Sequence, residues 1–184
     1  MAQQKRLIGS GQFTRVWEGS EAGTIIAQSN CTAKVALVEM SRIEGDELPK
    51  CIPAFTETER SWRGEKFGRK IEYTGVLYEK LRAPIRQLNA KALEFYRWLS
   101  RNYLKTMPNF MSELKARKEQ RECVYCEALE WLILHTYNYA MGADDIVIDF
   151  TRRNCAVGEG GMLIFLDLLV LRSDLRRGVN YANA

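Results

Sequence analysis

The stretch IVIDFTRRN, residues 146–154, places a carboxylate directly after an apolar run and an amide five residues beyond it. Branched apolar residues that end at a polar position are typical of a short strand leading into a loop. The spacing would set Asp149, as a general base, and the amide oxygen of Asn154 on one loop, both reaching a common Mg²⁺–phosphate site. A turn or cap would also use an aspartate here, and that alternative stays open.

A second acidic residue lies in the next apolar segment. Residues 162–171, MLIFLDLLVL, are apolar except for Asp167, and this run predicts a strand. Removing a lone carboxylate from water costs free energy, so a cation, a metal ion or several hydrogen-bond donors are expected beside it. Asp149 and Asp167 therefore form the acidic pair around which a site is predicted.

A glycine-rich segment lies near the start of the chain, where residues 8–16 have the sequence IGSGQFTRV. Glycines between two strands allow a positive φ and a close approach to a ligand, so exposed N–H groups could face phosphate oxygens. Phe13 would lie at the loop tip and Val16 where a purine ring could pack. A plain hairpin turn would use the same residues. The candidate binding residues here are Gly9, Ser10, Gly11, Gln12, Phe13 and Val16.

A lysine follows in the apolar run TAKVAL, residues 32–37, which we predict to be part of a strand over 31–38. Burying a lysine is costly without an anionic partner, although alternate strand positions commonly face solvent. The position of Lys34, about twenty residues after the glycine loop, favours a phosphate-binding role. With hardly any helix expected before the next strand, its candidate partners are Glu39, Glu44 and Glu47, none of which is well placed.

The rest of the chain predicts an α+β fold in two parts. Strands are expected over 24–27, 52–56 and 70–78, and helices over 88–104, with a 3.6-residue period, and 109–141, after Pro108. A strand-rich part over residues 1–81 would then precede a helical part over 82–184, with the hinge at 78–85. The glycine-rich residues 158–161 predict a turn.

The composition and charge of the chain limit the classes of function that it can have. The 184 residues carry a net charge of +4, with basic residues dispersed apart from short clusters in 60–70 and 172–177, so we expect no nucleic-acid partner. No apolar stretch is long enough to span a membrane and no signal-peptide hydrophobic region opens the chain, so a cytoplasmic location is expected. The only histidine, His135, excludes a Ser-His-Asp site and a histidine metal cage.

Five cysteines in a chain without an export signal are expected to be reduced thiols. Cys123 and Cys126 have a spacing that metal sites use, but they lie within a helical pattern without a second pair. Core packing is therefore favoured over zinc binding.

Taken together, the glycine loop, the strand lysine, the D-x-x-x-x-N loop and the later strand-borne aspartate resemble the protein-kinase fold. In order and compactness the chain resembles the small early host-takeover kinases of short-tailed lytic bacteriophages. Those share a GxGxF loop, a short Ile-Pro strand after the lysine, and an aspartate-to-asparagine loop followed by an apolar strand with one aspartate. The matching segments here are residues 8–16, 34, 52–56, 74–81, 149–154 and 165–168.

The resemblance implies a minimal two-lobed protein-kinase-like fold with a truncated C-terminal lobe, and ATP and Mg²⁺ as cofactors. The glycine loop, residues 9–13, would cover the ATP phosphates, and Lys34 would bind the α- and β-phosphates. Residues 78–81 would form the hinge, where the backbone of Glu79 and Leu81 would bind adenine.

For catalysis, the resemblance implies that Asp149 orients or deprotonates an acceptor hydroxyl, while Asn154 and Asp167 hold Mg²⁺. The implied function is a serine/threonine-protein kinase that acts on host proteins in the bacterial cytoplasm during infection. A small-molecule phosphotransferase of related fold is a lesser option, because those enzymes usually need a longer C-terminal region.

Several positions depart from the kinase pattern and motivate an alternative function. They are Thr14 at the third loop glycine, Val147 and Ile148 where His-Arg is usual, Thr151 at a common lysine position, and Leu168 and Leu169 after Asp167. Seventeen residues follow Asp167, so no ordinary activation segment is expected. The alternative is a catalytically inactive, pseudokinase-like protein that binds and inhibits a host factor.

Overall fold

The computed structural model describes residues 6–44, 47–58, 62–64, 68–141 and 145–177. Part of the predicted basic cluster in 60–70 lies outside these ranges, as do residues 178–184. The described chain combines an antiparallel sheet with five helices, so the predicted α+β class is confirmed. This arrangement agrees with the small kinase-like fold that the resemblance implies.

The first part of the chain is an antiparallel sheet, here called the N-terminal sheet. Its strands are β1 (Leu7–Ser10), β2 (Thr14–Glu18), β3 (Thr24–Ser29), β4 (Phe55–Glu57), β5 (Trp62–Gly64) and β6 (Gly68–Val76). They pair in the order β1-β2-β3-β6-β4, with β5 also paired to β6. The hairpin predicted around the glycine loop is confirmed by the pairing of Gly9 with Val16 and of Ser10 with Arg15. The strand expected over 52–56 begins only at Phe55.

The strand predicted over residues 31–38 is wrong, because this segment opens the α-helix α1 (Thr32–Glu44). Its apolar residues are buried on more than one side, for example Val35 and Val38, at 2% and 0% exposure. The helix packs against β4 and β6 and also against elements of the second part of the chain. An apolar run buried on all sides lacks the polar face that would distinguish a helix from a buried strand.

Gly75 in β6 leaves the space in which the ring of Phe55 packs between the sheet and α1. A methyl group at Gly75 would lie 2.6 Å from a ring carbon of Phe55, the residue opposite it in β4. Only glycine leaves room for that ring, which also contacts Tyr73 edge-on at 4.9 Å between ring centres. This close approach fixes Phe55 on the inner side of the N-terminal sheet.

The second part begins with three helices, α2 (Ala90–Asn102), α3 (Met107–Gln120) and α4 (Val124–Tyr139). The helix predicted over 88–104 is confirmed, and Asn89 caps it by accepting a hydrogen bond from the Ala92 amide. The single helix predicted over 109–141 is wrong, because extended backbone at Arg121 and Cys123 divides it. The break lets α3 fold back onto α4, burying Phe110 and Leu114, and neither Gly nor Pro marks it.

Two small antiparallel sheets and a last helix complete the fold. The elements are β7 (Glu79–Lys80), β8 (Ile146–Ile148), β9 (Cys155–Val157), β10 (Leu163–Phe165), β11 (Leu169–Leu171) and α5 (Arg172–Arg177). β9 pairs with β10 and β7, and β8 pairs with β11. The predicted glycine turn before β10 is confirmed, since Gly160 and Gly161 have φ values of 62° and 75°.

The strand predicted over residues 162–171 is wrong at its centre, where Asp167 lies in a turn between β10 and β11. The amides of Leu166 and Asp167 both donate to the carbonyl of Asn154, at 2.9 and 3.3 Å. These bonds draw the chain out of the strand ladder and turn the aspartate toward the loop after β8. None of the helices in the described part combines the length and apolar composition needed to cross a bilayer.

Candidate active site

Four predicted site residues meet where the loop after β8 faces the turn between β10 and β11. The pairing of β8 with β11 brings the two segments together, and the Asp149 amide donates to the carbonyl of Leu168 at 2.7 Å. Asn154 lies in a short 3₁₀ turn before β9, and Lys34 reaches the cluster from α1. We call Lys34, Asp149, Asn154 and Asp167 the polar cluster.

The ammonium group of Lys34 is almost wholly enclosed, with 3% of its side chain exposed. It donates to the carbonyl of Leu166 and lies 3.5 Å from Asp167 Oδ1. The rings of Phe55 and Tyr73 lie 4.8 and 6.0 Å from it, and their π faces favour a cation. Asp167 therefore supplies the anionic partner that the burial of Lys34 requires.

The lysine comes from a helix, whereas the sequence pattern predicts a strand lysine. It lies in the first turn of α1 and reaches the site from the side of β11, against which this helix packs. The anionic partner that the structure shows for Lys34 is Asp167, which was not among the candidate glutamates 39, 44 and 47. The predicted element is thus wrong, and the polar cluster contains Lys34 all the same.

Asn154 connects the two acidic residues. Its side-chain amide donates to the backbone carbonyl of Asp149 at 2.8 Å and to Asp149 Oδ2 at 2.9 Å. The backbone carbonyl of Asn154 accepts hydrogen bonds from the amides of Leu166 and Asp167. One asparagine therefore fixes the Asp149 carboxylate and, through its backbone, the position of Asp167.

The pKa of Asp149 is raised above its ordinary value of 3.8. Desolvation by the surrounding protein is the largest cause, and the charge of Asp167 acts in the same direction. The hydrogen bond from Asn154 lowers the pKa and opposes both. A carboxylate whose pKa is shifted upward is a better proton acceptor than an ordinary one, which suits a general base.

The glycine loop joins β1 to β2 in a turn closed by the Gly11 amide, which donates to the carbonyl of Thr14 at 2.8 Å. Neither Gly9 nor Gly11 uses the positive φ that glycine allows, because the described glycines with positive φ are at other positions. A methyl group at Gly9 would meet Val16 at 3.7 Å, and one at Gly11 would meet a backbone oxygen at 3.9 Å, both ordinary contacts. The fold itself therefore does not require glycine at either position.

The other loop residues divide between surface and core. Ser10 and Gln12 are exposed, whereas Phe13 and Val16 are partly buried against the core. The carbonyl of Phe13 accepts from the Asn30 amide at 3.2 Å, just before α1 begins. The loop is thus connected to the polar cluster through the start of the helix that carries Lys34.

The predicted hinge contains β7, which pairs with β9 through Glu79 with Val157 and Lys80 with Ala156. Glu79 is exposed and Leu81 is buried. The ammonium group of Lys80 donates to the carbonyl of Ile8 at 3.1 Å, which ties the segment to β1. The first strand of the glycine loop therefore lies next to the predicted hinge, and adenine binding at Glu79 and Leu81 stays a prediction.

The polar cluster offers oxygen ligands of the kind that Mg²⁺ prefers, namely the carboxylates of Asp149 and Asp167 and the amide oxygen of Asn154. Within the described ranges, no group of three or more His, Cys, Asp or Glu side chains is placed to hold a metal ion. The two carboxylates would therefore need further oxygens, such as phosphate oxygens or water, to complete a coordination shell.

The sequence did not point to one residue that positions the site. Asp174 of α5 is 4% exposed and accepts from the backbone amide of Thr32 at 2.8 Å and from its hydroxyl at 2.9 Å. It thereby caps the N-terminus of α1, the turn that carries Lys34. The sequence feature that could have indicated Asp174 is its place as the one acidic residue among the arginines of residues 172–177. Nothing in its spacing relates it to Thr32.

No family model matches this chain, and no curated protein matches it. Among solved structures, the chain is similar to an aminoglycoside phosphotransferase from Alicyclobacillus acidocaldarius subsp. acidocaldarius, at 12% identity and a TM-score of 0.36. The likeness covers 95% of this chain and 67% of that one. At such a TM-score the likeness carries no argument about function, so the chemistry of the site is inferred from the contacts of the polar cluster.

Proposed function

We propose that this chain is a kinase-like phosphotransferase that uses Mg²⁺-ATP at the polar cluster. The observation that carries the proposal is that three separate segments, namely α1, the loop between β8 and β9 and the turn before β11, bring the four residues of the polar cluster into one connected set of contacts. Phosphoryl transfer depends mainly on positioning and charge neutralisation, which a cation, two carboxylates and an amide can provide.

Each member of the polar cluster has a role in this proposal. Lys34 would bind phosphate oxygens of the nucleotide, and Asp167 and Asn154 would hold Mg²⁺, which neutralises charge on the transferring group. Asp149 would accept the proton of the acceptor hydroxyl, a role that its raised pKa suits. A cavity of about 10 Å³ beside Lys34 and Asp167 holds one water at most, so the nucleotide would bind against the outer side of the cluster.

The proposal also covers the acceptor of the phosphoryl group, its cellular location and the place where ATP binds. Following the resemblance to early phage kinases, the acceptor would be a serine or threonine of a host protein in the bacterial cytoplasm. ATP would lie between a strand-rich lobe, residues 1–81, and a helical lobe, residues 82–184, with residues 9–13 over its phosphates and residues 79–81 beside adenine.

Mg²⁺-ATP is expected to raise the melting temperature of the full chain. A ligand at a hundred times its Kd stabilises a protein by about 2.7 kcal/mol, which corresponds to about 5–10 °C for a chain of this size. Asp167→Ala should abolish the shift, whereas Glu119→Ala, a matched change at an exposed residue of α3, should preserve it. An unchanged melting-temperature shift in Asp167→Ala would show that Asp167 does not take part in binding Mg²⁺-ATP.

The glycine loop provides a variant whose effect on folding is small. Because a methyl group at Gly11 meets only ordinary contacts, Gly11→Ala should leave the melting temperature of the free protein nearly unchanged. It should reduce the shift caused by Mg²⁺-ATP if nucleotide phosphates approach the loop backbone closely. An equal shift in Gly11→Ala and wild type would place the phosphates elsewhere.

A second candidate is a pseudokinase-like protein that inhibits a host factor, and the engagement of Lys34 by Asp167 and the Leu166 carbonyl favours it. Incorporation of labelled phosphate into host proteins separates the two functions. Catalysis predicts incorporation that both Lys34→Ala and Asp167→Ala abolish. A melting-temperature shift without incorporation would support the binding protein, and incorporation that persists in both variants would disprove phosphotransfer by this cluster.

A further inference from the structure

A pair of cysteines lies at the start of α4, away from the polar cluster. Cys123 is the N-cap residue of this helix, and Cys126 lies one turn further, with its amide donating to the Cys123 carbonyl at 2.9 Å. Residues three apart on a helix have Cβ atoms about 5–6 Å from each other, about 1–2 Å more than the separation of about 3.5–4.5 Å that a disulfide bridges, so a small local adjustment at the helix start would bring the two sulfurs together. No side chain in the described part of the chain caps this N-terminus, so its amide groups can stabilise a negative charge.

A largely buried arginine accompanies the thiols. The side chain of Arg117 is 11% exposed, and its guanidinium carbon lies 5.7 Å from the ring centre of Phe95 and 5.4 Å from that of Trp98. Its Nε is buried and has no hydrogen-bond partner among the described residues, although Nη2 donates to Glu94 at 3.1 Å. Part of this cation is therefore available to an anion beside it.

The two thiols have different acidities. The neighbouring Cys126 thiol lowers the pKa of Cys123 below its ordinary value of 9.0, burial opposes this, and Arg117 lowers the pKa further. The neighbouring Cys123 sulfur and burial raise the pKa of Cys126. Cys123 is also the more accessible of the pair, at 8% exposure against 0% for Cys126.

A third thiol lies nearby but has a different environment. Cys51 is 1% exposed, and its sulfur lies 3.8 Å from the carbonyl of Val124, to which it donates. Burial raises its pKa to about 12, so it stays protonated at neutral pH. A protonated, enclosed thiol is a poor nucleophile, so neither Cys51 nor Cys126 is the first attacking sulfur, and that role falls to Cys123.

We propose that Cys123 and Cys126 are a redox-active pair that forms a reversible disulfide within the first turn of α4, with Cys123 as the attacking sulfur. With a small-molecule disulfide such as oxidised glutathione, the Cys123 thiolate attacks one sulfur and displaces a glutathione thiolate, which takes up a proton. Cys126 then attacks Cys123 Sγ and displaces the second glutathione as a thiolate, which takes up the proton that Cys126 loses. Two protein thiols are oxidised and one external disulfide is reduced to two thiols.

The test uses the full-length protein equilibrated in buffers of varied oxidised-to-reduced glutathione ratio, then acid-quenched, alkylated and digested with trypsin. Cleavage after Arg121 and Arg152 gives the peptide of residues 122–152, which contains Cys123 and Cys126 and no other cysteine. As the ratio rises, this peptide should lose both alkylation sites and two hydrogen masses, and dithiothreitol should reverse the change. Wild-type protein that keeps both sites while urea-unfolded protein loses them would overturn the proposal.

Variants distinguish the roles of the sulfurs. Cys126→Ser should stop at a glutathione adduct on Cys123, Cys123→Ser should react far more slowly, and Cys51→Ser should behave as wild type. Arg117→Gln should move the half-point of Cys123 alkylation to higher pH, which a purely structural arginine would not do. A disulfide that links Cys51 to either partner, or a glutathione adduct on Cys126 in wild type, would disprove the assignment.

Discussion

The carboxyl group of Asp149 links the structure of the site to a measurable pH dependence. Its pKa is raised, first by desolvation and then by Asp167. As pH rises above 3.8, the unfolded chain ionises at this position before the folded chain does, so the native protein loses stability until the folded pKa is passed. Relative to Asp149→Asn, wild type should therefore become progressively less stable across the acidic range and then level off.

Urea unfolding of both proteins at a series of pH values between about 3 and 7 measures this difference. Repeating the comparison in an Asp167→Asn background should shrink the pH-dependent part, because one cause of the raised pKa is removed. The opposite result would be a wild type whose free energy of unfolding rises relative to Asp149→Asn as pH rises. It would mean that hydrogen-bond donors around the carboxylate lower its pKa by more than desolvation raises it.

At the level of single residues, the sequence was sufficient to find the polar cluster but not its geometry. Lys34, Asp149 and Asp167 were found because each interrupts or ends an apolar run, which is costly without a partner. Their contacts were not predictable, since the ion pair between Lys34 and Asp167 spans most of the chain. Asp174 had no such signal, because a charged residue in a polar segment is ordinary until the fold buries it.

Among the elements, α1 depends on a cap supplied from a distant part of the chain. Asp174 accepts two hydrogen bonds from Thr32 and is 4% exposed. Asp174→Ala should lower the free energy of unfolding by about 1–3 kcal/mol, because a helix cap and a buried hydroxyl both lose their acceptor. Asp174→Asn should cost less, since an amide oxygen can still accept one of the bonds.

Chemical denaturation measures both values, with Glu119→Ala as the exposed control that should change stability by no more than about 0.5 kcal/mol. Thr32→Val in the Asp174→Ala background tests the contact itself. If these residues interact as the structure indicates, the double variant should lose less free energy of unfolding than the two single variants lose in sum. Fully additive effects would show that Asp174 contributes through other neighbours.

The element predictions succeeded where periodicity was clear and failed where burial was complete. The amphipathic α2 was predicted close to its observed limits, and the β1–β2 hairpin was predicted from its glycines. By contrast, residues 33–38 of α1 are all buried and form no polar face, and α3 and α4 are separated by residues without a breaker. In both cases tertiary packing, which a local pattern does not contain, decides the outcome.

Across the whole molecule, α1 joins the N-terminal sheet to the rest of the fold. It packs on β4 and β6 of the N-terminal sheet and also on β11 and α4 of the second part. The Phe165 amide donates to the Cys51 carbonyl at 2.8 Å, and Lys80 donates to Ile8, which adds two further connections. With one core shared in this way, the described parts should unfold together rather than as separate lobes.

Single-tryptophan variants test this cooperativity, with the other three tryptophans replaced by phenylalanine. Trp17 reports on β2 of the N-terminal sheet and Trp131 on α4. Their fluorescence should give the same urea midpoint and the same slope, and far-UV circular dichroism should coincide with both. Lys34→Met should lower the two midpoints equally, because the ion pair that it removes belongs to the helix on which both parts pack. Two separated midpoints, with only one of them sensitive to Lys34→Met, would instead show that residues 1–81 and 82–184 are independent folding units joined by a weak interface.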